Sequence, residues 1–517
     1  MLNLIDRAIA AIAPSMAVRR AQARSALAFY SAWEGASMTR AALQNWIPNE
    51  DDADTTLSYE LPFLRARAKD AYRNAPLAGA AINTMVSHVV GTGLSLQLTP
   101  DQDYLGWSDK RTERWKANVY RRWVGWAERT DCDITRAQNF YALQDLALRA
   151  MLVHGDVFPV LTEHTIDAVD VLAVQLIAAA RVTNPDGSPD TDTLKSGVEI
   201  NAAGAPVAYH VMRRHPGATA LTADAYRWDR ITAFGADSGR RNVLHLFERL
   251  EPSQSRGVPI LAPVLEQLKQ LHRYTEAELQ AAVTSAAFAV FIRMDPNAFA
   301  ELFGDSAQTY MNRAQKWDGT IPTGTLSGPG QAVNLLPGED PVAVEPTRPN
   351  AQFDPFVMAI VRQIGARLGI PFEVMIKHFS SSYSASRAAL LDAWRVFRVR
   401  REFLASAFCQ PIFEEWLARE VVAGNVAAPG FFGDRTLREA YTATNWIGDG
   451  PGSINPRDDA AAARERIDIG ISTIAAESIL HDGVDWEVKH RQRVKEADSR
   501  KGSGLEIDMA AAVGGQG

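Results

Sequence analysis

The sequence predicts an α+β fold: a first half that mixes helices and strands, then a mostly helical second half. Three observations predict it. The runs "DVFPVLTEH" and "VDVLAVQLI" alternate apolar and polar side chains, the period-two signature of strands. Two leucine- and isoleucine-rich stripes at helical spacing, 259–286 and 353–369, flank an irregular Gly- and Pro-rich segment. The chain has 517 residues, 46% apolar and 22% charged, so it is globular but too long for one ordinary core.

The elements follow in order. Residues 1–44 carry Ala-rich apolar runs followed by Arg19, Arg20 and Arg24. A secretory signal has its basic residues before the apolar run, so the segment is read as an arm that packs elsewhere, with a targeting peptide as the alternative. From Pro62 to Val90 the pattern is helical, with a break near Asn74-Ala75-Pro76; Gly91 and Gly93 end it, and "LSLQL" reads as a strand. Trp107 to Trp126 is a helix bearing Trp115, Tyr120, Trp123 and Trp126, a stripe that points to core or to an interface. Another helix runs from about Ala137 to Val153. "GVEINAAGAPVAYHVM" is a hairpin turning at Ala203-Gly204, and "VLHLFERL" is one more strand.

In the second half, one long helix from Pro259 to about Ala286 carries Leu261, Leu265, Leu268 and Leu271, continued by Leu279 and Ala282. At about 1.5 Å per residue it spans roughly 40 Å. Residues 288–352 are irregular and acidic: Asp295, Glu301, Asp305, Asp318, Glu339, Asp340 and Glu345 oppose Arg293, Arg313, Lys316 and Arg348, a net of −3. Asp354 is placed to cap the next helix and Pro355 suits its first turn. Phe353, Phe356, Val357, Ile360, Val361, Ile364 and Leu368 form its stripe, and Gly369 and Pro371 stop it. A serine-rich polar stretch, 371–386, leads into a third helix from about Ser384 to Phe408, which Pro411 bends or breaks. "NPRDDAAAARERIDIGI" and "TIAAESILHDGVDWEVKHRQRVKEADS" read as two further helices, and the tail 501–517 as disordered.

Chemistry-bearing motifs are scarce. There is no Walker phosphate loop, no H-E-x-x-H, no G-x-S-x-G and no paired C-x-x-C, and "GTGLSL" lacks the third glycine of a dinucleotide fingerprint. Asp51, Asp52 and Asp54, and Asp131 with Asp133, form acid clusters that a Mg²⁺-dependent nuclease could use, but the first lies in what reads as a polar linker and solvated charge is preferred. His154 and Asp156 of "HGD" read as a turn with a cap, and His210 and His215 show no ligand geometry. No catalytic, cofactor-binding or metal site is expected. Cys132 and Cys409 are too few for a disulfide framework and fit a reducing compartment. The net charge of −7 gives no sign of a general polyanion binder. No run reaches about 18 apolar residues, so no membrane span is expected.

Taken together, a long helix leaves a body, an acidic module follows, a second helix returns, and a polar loop leads into a third. Here the sequence resembles the portal proteins of tailed bacteriophages, most closely the lambda-type branch. The resemblance runs from about residue 45 to 500. It is carried in order by "YRNAPLAGAAINTMVSHVVGTGLSLQ", "GVEINAAGAPVAYHV", "VLHLFERLEPSQSRGVPILAPVLEQLKQLHRYTEAELQAA", "FDPFVMAIVRQIGARLGIPFEVM", "SSSYSASRAALLDAWR" and "DAAAARERIDIGISTIAAESILHDGVDWE".

The resemblance implies a ring-forming structural protein, not an enzyme, typically of about twelve subunits, at one capsid vertex. It implies an N-terminal arm (1–44), a wing (45–258), a first stem helix (259–287), a clip (288–352), a second stem helix (353–370), a tunnel loop (371–386) and a wing and crown helical region (387–500). The implied partners are further copies of the chain, the major capsid protein and scaffold, the terminase large subunit, a head-completion or connector protein, and double-stranded DNA passing non-specifically. The implied location is the virion, with assembly in the host cytoplasm. Stem packing falls to Leu261, Leu265, Leu268, Phe356, Val357, Ile360 and Ile364.

The tunnel loop would contact DNA weakly through Lys377, His378, Ser380, Ser381, Ser382, Tyr383 and Arg387. From 377 to 401 six Lys or Arg residues face only Asp392, a net of +5. Arg395, Arg398, Arg400 and Arg401 are read first as partners of acids on neighbouring subunits, with DNA contact second; His378 stands open. A monomeric assembly adaptor or scaffold and a metal-dependent DNA-processing enzyme are the competing readings.

Overall fold

The computed structural model describes residues 50–219, 226–287, 291–294, 339–342, 352–379, 382–452 and 455–503, with isolated positions before residue 50. Most of the expected N-terminal arm, most of the acidic module 288–352, Ser380, Ser381 and the tail beyond residue 503 lie outside the described residues. The chain divides into two units, 1–56 and 57–517.

Among its described residues the first unit holds a short 3-10 turn, Glu34–Ala36, and the opening turn of α1 (Ala53–Asn74). The Thr55 N–H donates to an Asp52 carboxylate oxygen (3.4 Å), and Asp54 lies in the first helical turn. The Asp51–Asp54 cluster therefore starts a helix and is not linker: acids are favoured where the first N–H groups of a helix lack partners. The helix accordingly begins well before Pro62, which lies inside it.

In the second unit, α2 (Pro76–Val89) follows after Ala75, with Pro76 in the first turn, where a missing N–H breaks no bond. Then come β1 (Ser95–Leu98), α3 (Asp109–Ala127), α4 (Phe140–His154), β2 (Asp156–Ile166), β3 (Val169–Ala178), β4 (Leu194–Lys195), β5 (Val198–Ile200), β6 (Pro206–Met212), β7 (Trp228–Thr232) and β8 (Leu246–Phe247). The second half contains α5 (Leu265–Ala287), β9 (Phe291–Met294), β10 (Glu339–Val342), α6 (Phe353–Leu368), α7 (Phe372–Ile376), α8 (Tyr383–Leu404), α9 (Gln410–Val422), α10 (Arg435–Thr442), β11 (Thr444–Ile447), α11 (Pro456–Asp468), α12 (Ile474–Asp482) and α13 (Trp486–Gly502).

β2 and β3 form a long antiparallel hairpin, with β8 on the other edge of β2. β4 to β7 form a second antiparallel sheet in sequence order, turning between β5 and β6 where Ala203-Gly204 predicts. β9 and β10 pair antiparallel within the acidic module. β1 pairs antiparallel with β11, Ser95 opposite Ile447, which ties the first half of the chain to its C-terminal region.

The tryptophan stripe of α3 is core. Trp123 meets Trp126, Phe140, Phe413, Trp416 and Trp446 at centroid distances of 4.9–5.9 Å. Aromatic rings prefer these tilted and edge-on contacts, and each ring removes a large apolar area from water. Tyr120 is the exception and is exposed. Alternation along β2 serves two cores: Val157 joins the main one, while Phe158 and Val160 join Tyr209, Val211 and Val198 against the second sheet.

Pro411 does not end the third long helix. A π-helical segment, Ala405–Cys409, links α8 to α9, with Pro411 in the first turn of α9. Proline lacks an N–H and its ring crowds the carbonyl four residues back, and the wider turn accommodates both. The C-terminal region holds three helices, not the two expected. Gly483 in the left-handed region ends α12, and the Asp485 carboxylate caps α13 by accepting from the Glu487 N–H (2.9 Å). α13 is tied back to α3 by Lys116 and Glu487 (2.9 Å).

Candidate functional site

Among the described residues, α5 and α6, expected as stem helices, join the core through the start of α5 and the second half of α6. Leu261, just before α5, is buried together with Leu268 and Leu271, and Leu265 packs at the edge. On α6, Val361, Ile364 and Leu368 are buried, with Val357 and Ile360 packed against them. Further out the helices touch through aromatic rings: Tyr274 stacks on Phe353 (5.6 Å, 22°) and meets Phe356 edge-on (5.1 Å, 69°). Phe356 remains 51% exposed and Leu279 67%, so the outer members of the expected stripe are uncovered in a single copy, as is Val283 (56%), which lies outside that stripe. Asp354 does not cap α6: Gln352 holds that position, its side chain making no capping hydrogen bond, and Asp354 lies within the first turn. Gly369 ends α6 in the left-handed region (φ 69°).

The polar loop is anchored at one end. α7 buries Val374 and Met375 in the core. Lys377 follows with φ 56°, and Lys377, His378 and Phe379 are exposed. Ser382 caps α8, its hydroxyl accepting from the Ala385 N–H (3.5 Å), and Tyr383 is the first residue of that helix. Arg387 pairs with Asp459 of α11 (3.1 Å), with its side chain about half exposed. The described loop residues therefore share one end of α8, but the serine hydroxyl at 382 is already engaged by the helix.

The arginines of α8 divide. Arg395 and Arg398 are exposed. Arg400 pairs with Glu248 (3.2 Å). Arg401 donates to the carbonyls of Val89 (2.9 Å), His88 (2.8 Å) and Asp449 (2.9 Å), and lies over the Trp394 ring at 5.1 Å. The first two carbonyls end α2, where a cation is favoured by the helix dipole. The reading of Arg400 and Arg401 as groups reaching a neighbour or DNA is corrected here: both hold α8 to its own chain. Burial lowers the Arg401 pKa from its usual value.

Sequence reasoning missed a buried charge node between the start of β2 and the segment that leads into α5. Asp156, fully buried, accepts from Arg256 Nε (2.7 Å), Arg65 Nη2 (2.9 Å), the Gly257 N–H (3.2 Å) and His245 Nε2 (3.4 Å). Arg256 also donates to the carbonyls of Val182 (2.8 Å), Ala179 (3.0 Å) and Ser196, and lies over Phe158. Burial opposes the carboxylate, but Arg256 and Arg65 overcome it and hold the Asp156 pKa well below the usual range. The available signals were an acid opening an otherwise apolar strand, "DVFPVL", and an arginine before a glycine in "SRGVP".

His154, next to this node, has its pKa lowered to about 4, by burial first and then by Lys69 and Arg65. An unfolded histidine takes up its proton near pH 6.5. The folded state therefore loses stability as pH falls from about 6.5 towards about 4, by at most about 1.4 kcal/mol per pH unit. His245, depressed chiefly by burial, acts in the same direction. Thermal melts across this window should show a fall that His154→Gln reduces; an unchanged slope in the variant would refute the assignment.

Among the described residues no cluster of three or more His, Cys, Asp or Glu is placed to hold a metal ion. Asp133, one of the suspected acids, instead organises its own loop: burial works against its ionised form, but hydrogen bonds from Thr135 and from the N–H groups of Ala137 and Gln138 hold its pKa below the usual value.

Comparison with known proteins follows the same line. Portal protein B of Escherichia phage lambda is 27% identical over 486 residues, covering 91% of this chain and 90% of its own length. The portal protein of Escherichia phage N15 is 27% identical over 487 residues with the same coverage. Among solved structures, a chain from the neck of a native GTA particle aligns over 82% of this chain and 93% of its own length at 12% identity, with a TM-score of 0.41, a superposition too loose to carry argument. The family described as phage portal protein, lambda family, matches residues 39–401, more than half of the 517 residues. On that match the chain belongs to the lambda family of phage portal proteins.

Proposed function

We infer that this chain is the subunit of a portal ring, the channel at one capsid vertex through which double-stranded DNA is packaged and later released. Portal proteins are structural, and the role here is that of a conduit. The observation that carries the reading is the stem: two helices leave the core with Leu279, Val283 and Phe356 turned to solvent. Burying such side chains contributes about 1.5–3 kcal/mol each, and a ring of identical copies supplies the cover at every interface.

In this reading residues 45–258 and the helical region after 387 form the wing and crown, 259–287 and 353–370 the stem, and 288–352 a clip that meets the terminase large subunit during packaging and a head-completion or connector protein afterwards. The capsid protein and scaffold surround the wing. The tunnel loop 371–386 touches the passing duplex without gripping it: Lys377 and His378 are exposed on it, and Arg387, paired with Asp459 just beyond it, keeps its side chain about half exposed. Weak, sequence-independent phosphate contacts suit a polymer that must slide.

Electron microscopy and native mass measurement of the purified chain test the reading. Wild-type protein, alone or with its capsid proteins, is expected to form rings with a channel wide enough for duplex DNA. Leu279→Glu combined with Val283→Glu should abolish rings and leave a folded monomer, because neither side chain is buried in the single copy. Wild-type chain that stays monomeric even with capsid proteins would favour the adaptor reading.

A further inference from the structure

We propose that Arg362 of α6 is a phosphate-contact residue of the channel, acting with Lys377 as one cationic site for the backbone of duplex DNA. The proposal rests on the channel reading above and adds a residue outside the polar loop. Arg362 is exposed, in a row along α6 with Pro355, Ala359 and Ala366, which are exposed as well. Those three side chains are small, so the guanidinium is the charged group standing out of that row. Among the described residues it forms no hydrogen bond or ion pair, unlike Arg387, Arg400 and Arg401.

Its position is nonetheless set. The guanidinium lies 4.9 Å from the centroid of the Phe372 ring. A cation held over an aromatic face is kept in place while its N–H groups stay available, and the edge of a guanidinium matches two phosphate oxygens at once. Phe372 opens α7, and α7 ends at Lys377. Lys377 adopts φ 56°, a region that side chains bearing a Cβ rarely enter, and its own side chain is exposed. One short helix thus connects a stacked, unpaired arginine to an exposed lysine held in an uncommon conformation. The nearby acids are Glu373, on α7 and half-buried, and Asp354 at the start of α6; neither pairs with Arg362. A free, pre-oriented guanidinium on a smooth face fits a sliding polyanion better than a fixed carboxylate of a second copy, which would require a shaped socket around it.

The test uses purified full-length rings and a fluorescent 30-base-pair duplex of mixed sequence, titrated from about 50 to 200 mM salt. Arg362→Gln is expected to form rings and melt like wild type, to bind about 3–10-fold more weakly at the lowest salt, and to flatten the slope of log affinity against log salt by about one or more. Arg362→Lys should recover most of the affinity, since charge is the main requirement. Arg362→Gln rings that bind with wild-type affinity and slope would overturn the proposal. So would failure of that variant to form rings, which would assign the arginine to subunit contact. Wild-type rings that do not bind duplex at any salt would overturn the proposal too, whereas a wild-type chain that forms no rings would bring down the channel reading itself.

Discussion

Asp156→Ala is expected to destabilise the fold by about 3–5 kcal/mol, the loss measured when one partner of a buried ion pair is removed. The substitution leaves two guanidiniums, Arg256 and Arg65, close together in a largely buried site, with the Gly257 N–H unpaired beside them. Arg256 keeps its three carbonyl partners, but carbonyl dipoles do not replace a counter-charge. Chemical denaturation of the purified chain, read as a midpoint shift at constant slope, measures the loss. A change below about 1 kcal/mol would show that the node contributes little. Asp156→Asn should be intermediate, since it keeps the shape and part of the hydrogen bonding.

Gly257→Ala is the second large effect expected. Two glycine backbones touch where α4 ends and the chain leads towards α5: Gly155, with φ 92°, and Gly257. A Cβ on Gly257 would overlap the Gly155 carbonyl and come within 2.7 Å of the Phe247 Cβ. Neither obstacle is the end of a flexible side chain, so the backbone itself must move. Overpacking of this kind costs about 1–3 kcal/mol, and more when the neighbouring group is backbone. Because Gly257 also donates to Asp156, a shift would loosen the charge node as well. The reading predicts a lower melting temperature and fewer assembled rings; a variant as stable as wild type would mean the contact is slack.

Much of this architecture could be read from the residues. Strands 156–178 and the hairpin at Ala203-Gly204 follow from alternation and turn chemistry, which are local. The stem stripes follow from helical spacing, although their outward-facing share did not: periodicity shows which residues lie on one side of a helix, not whether the chain alone covers that side. The charge node escaped because Asp156 and Arg256 lie 100 residues apart and each reads locally as a turn residue. Arg401 escaped for a similar reason, since its partners are main-chain carbonyls that any sequence offers. The extra C-terminal helix was legible in Gly483 and Asp485, a stop followed by a cap, but a continuous helical pattern on both sides hid it.

The pairing of β1 with β11 has a consequence for biosynthesis. Ser95 and Ile447, partners in that ladder, are separated by 352 residues. At 5–20 residues per second a ribosome needs roughly 20–70 s to make the second strand after the first. Throughout that interval β1 lacks its partner strand, and both α5 and α6 emerge before that sheet can close. The nascent chain therefore carries α5 and α6 while its β1 ladder is still unfinished, and synthesis of β11 sets the earliest moment at which a subunit is complete enough to meet another.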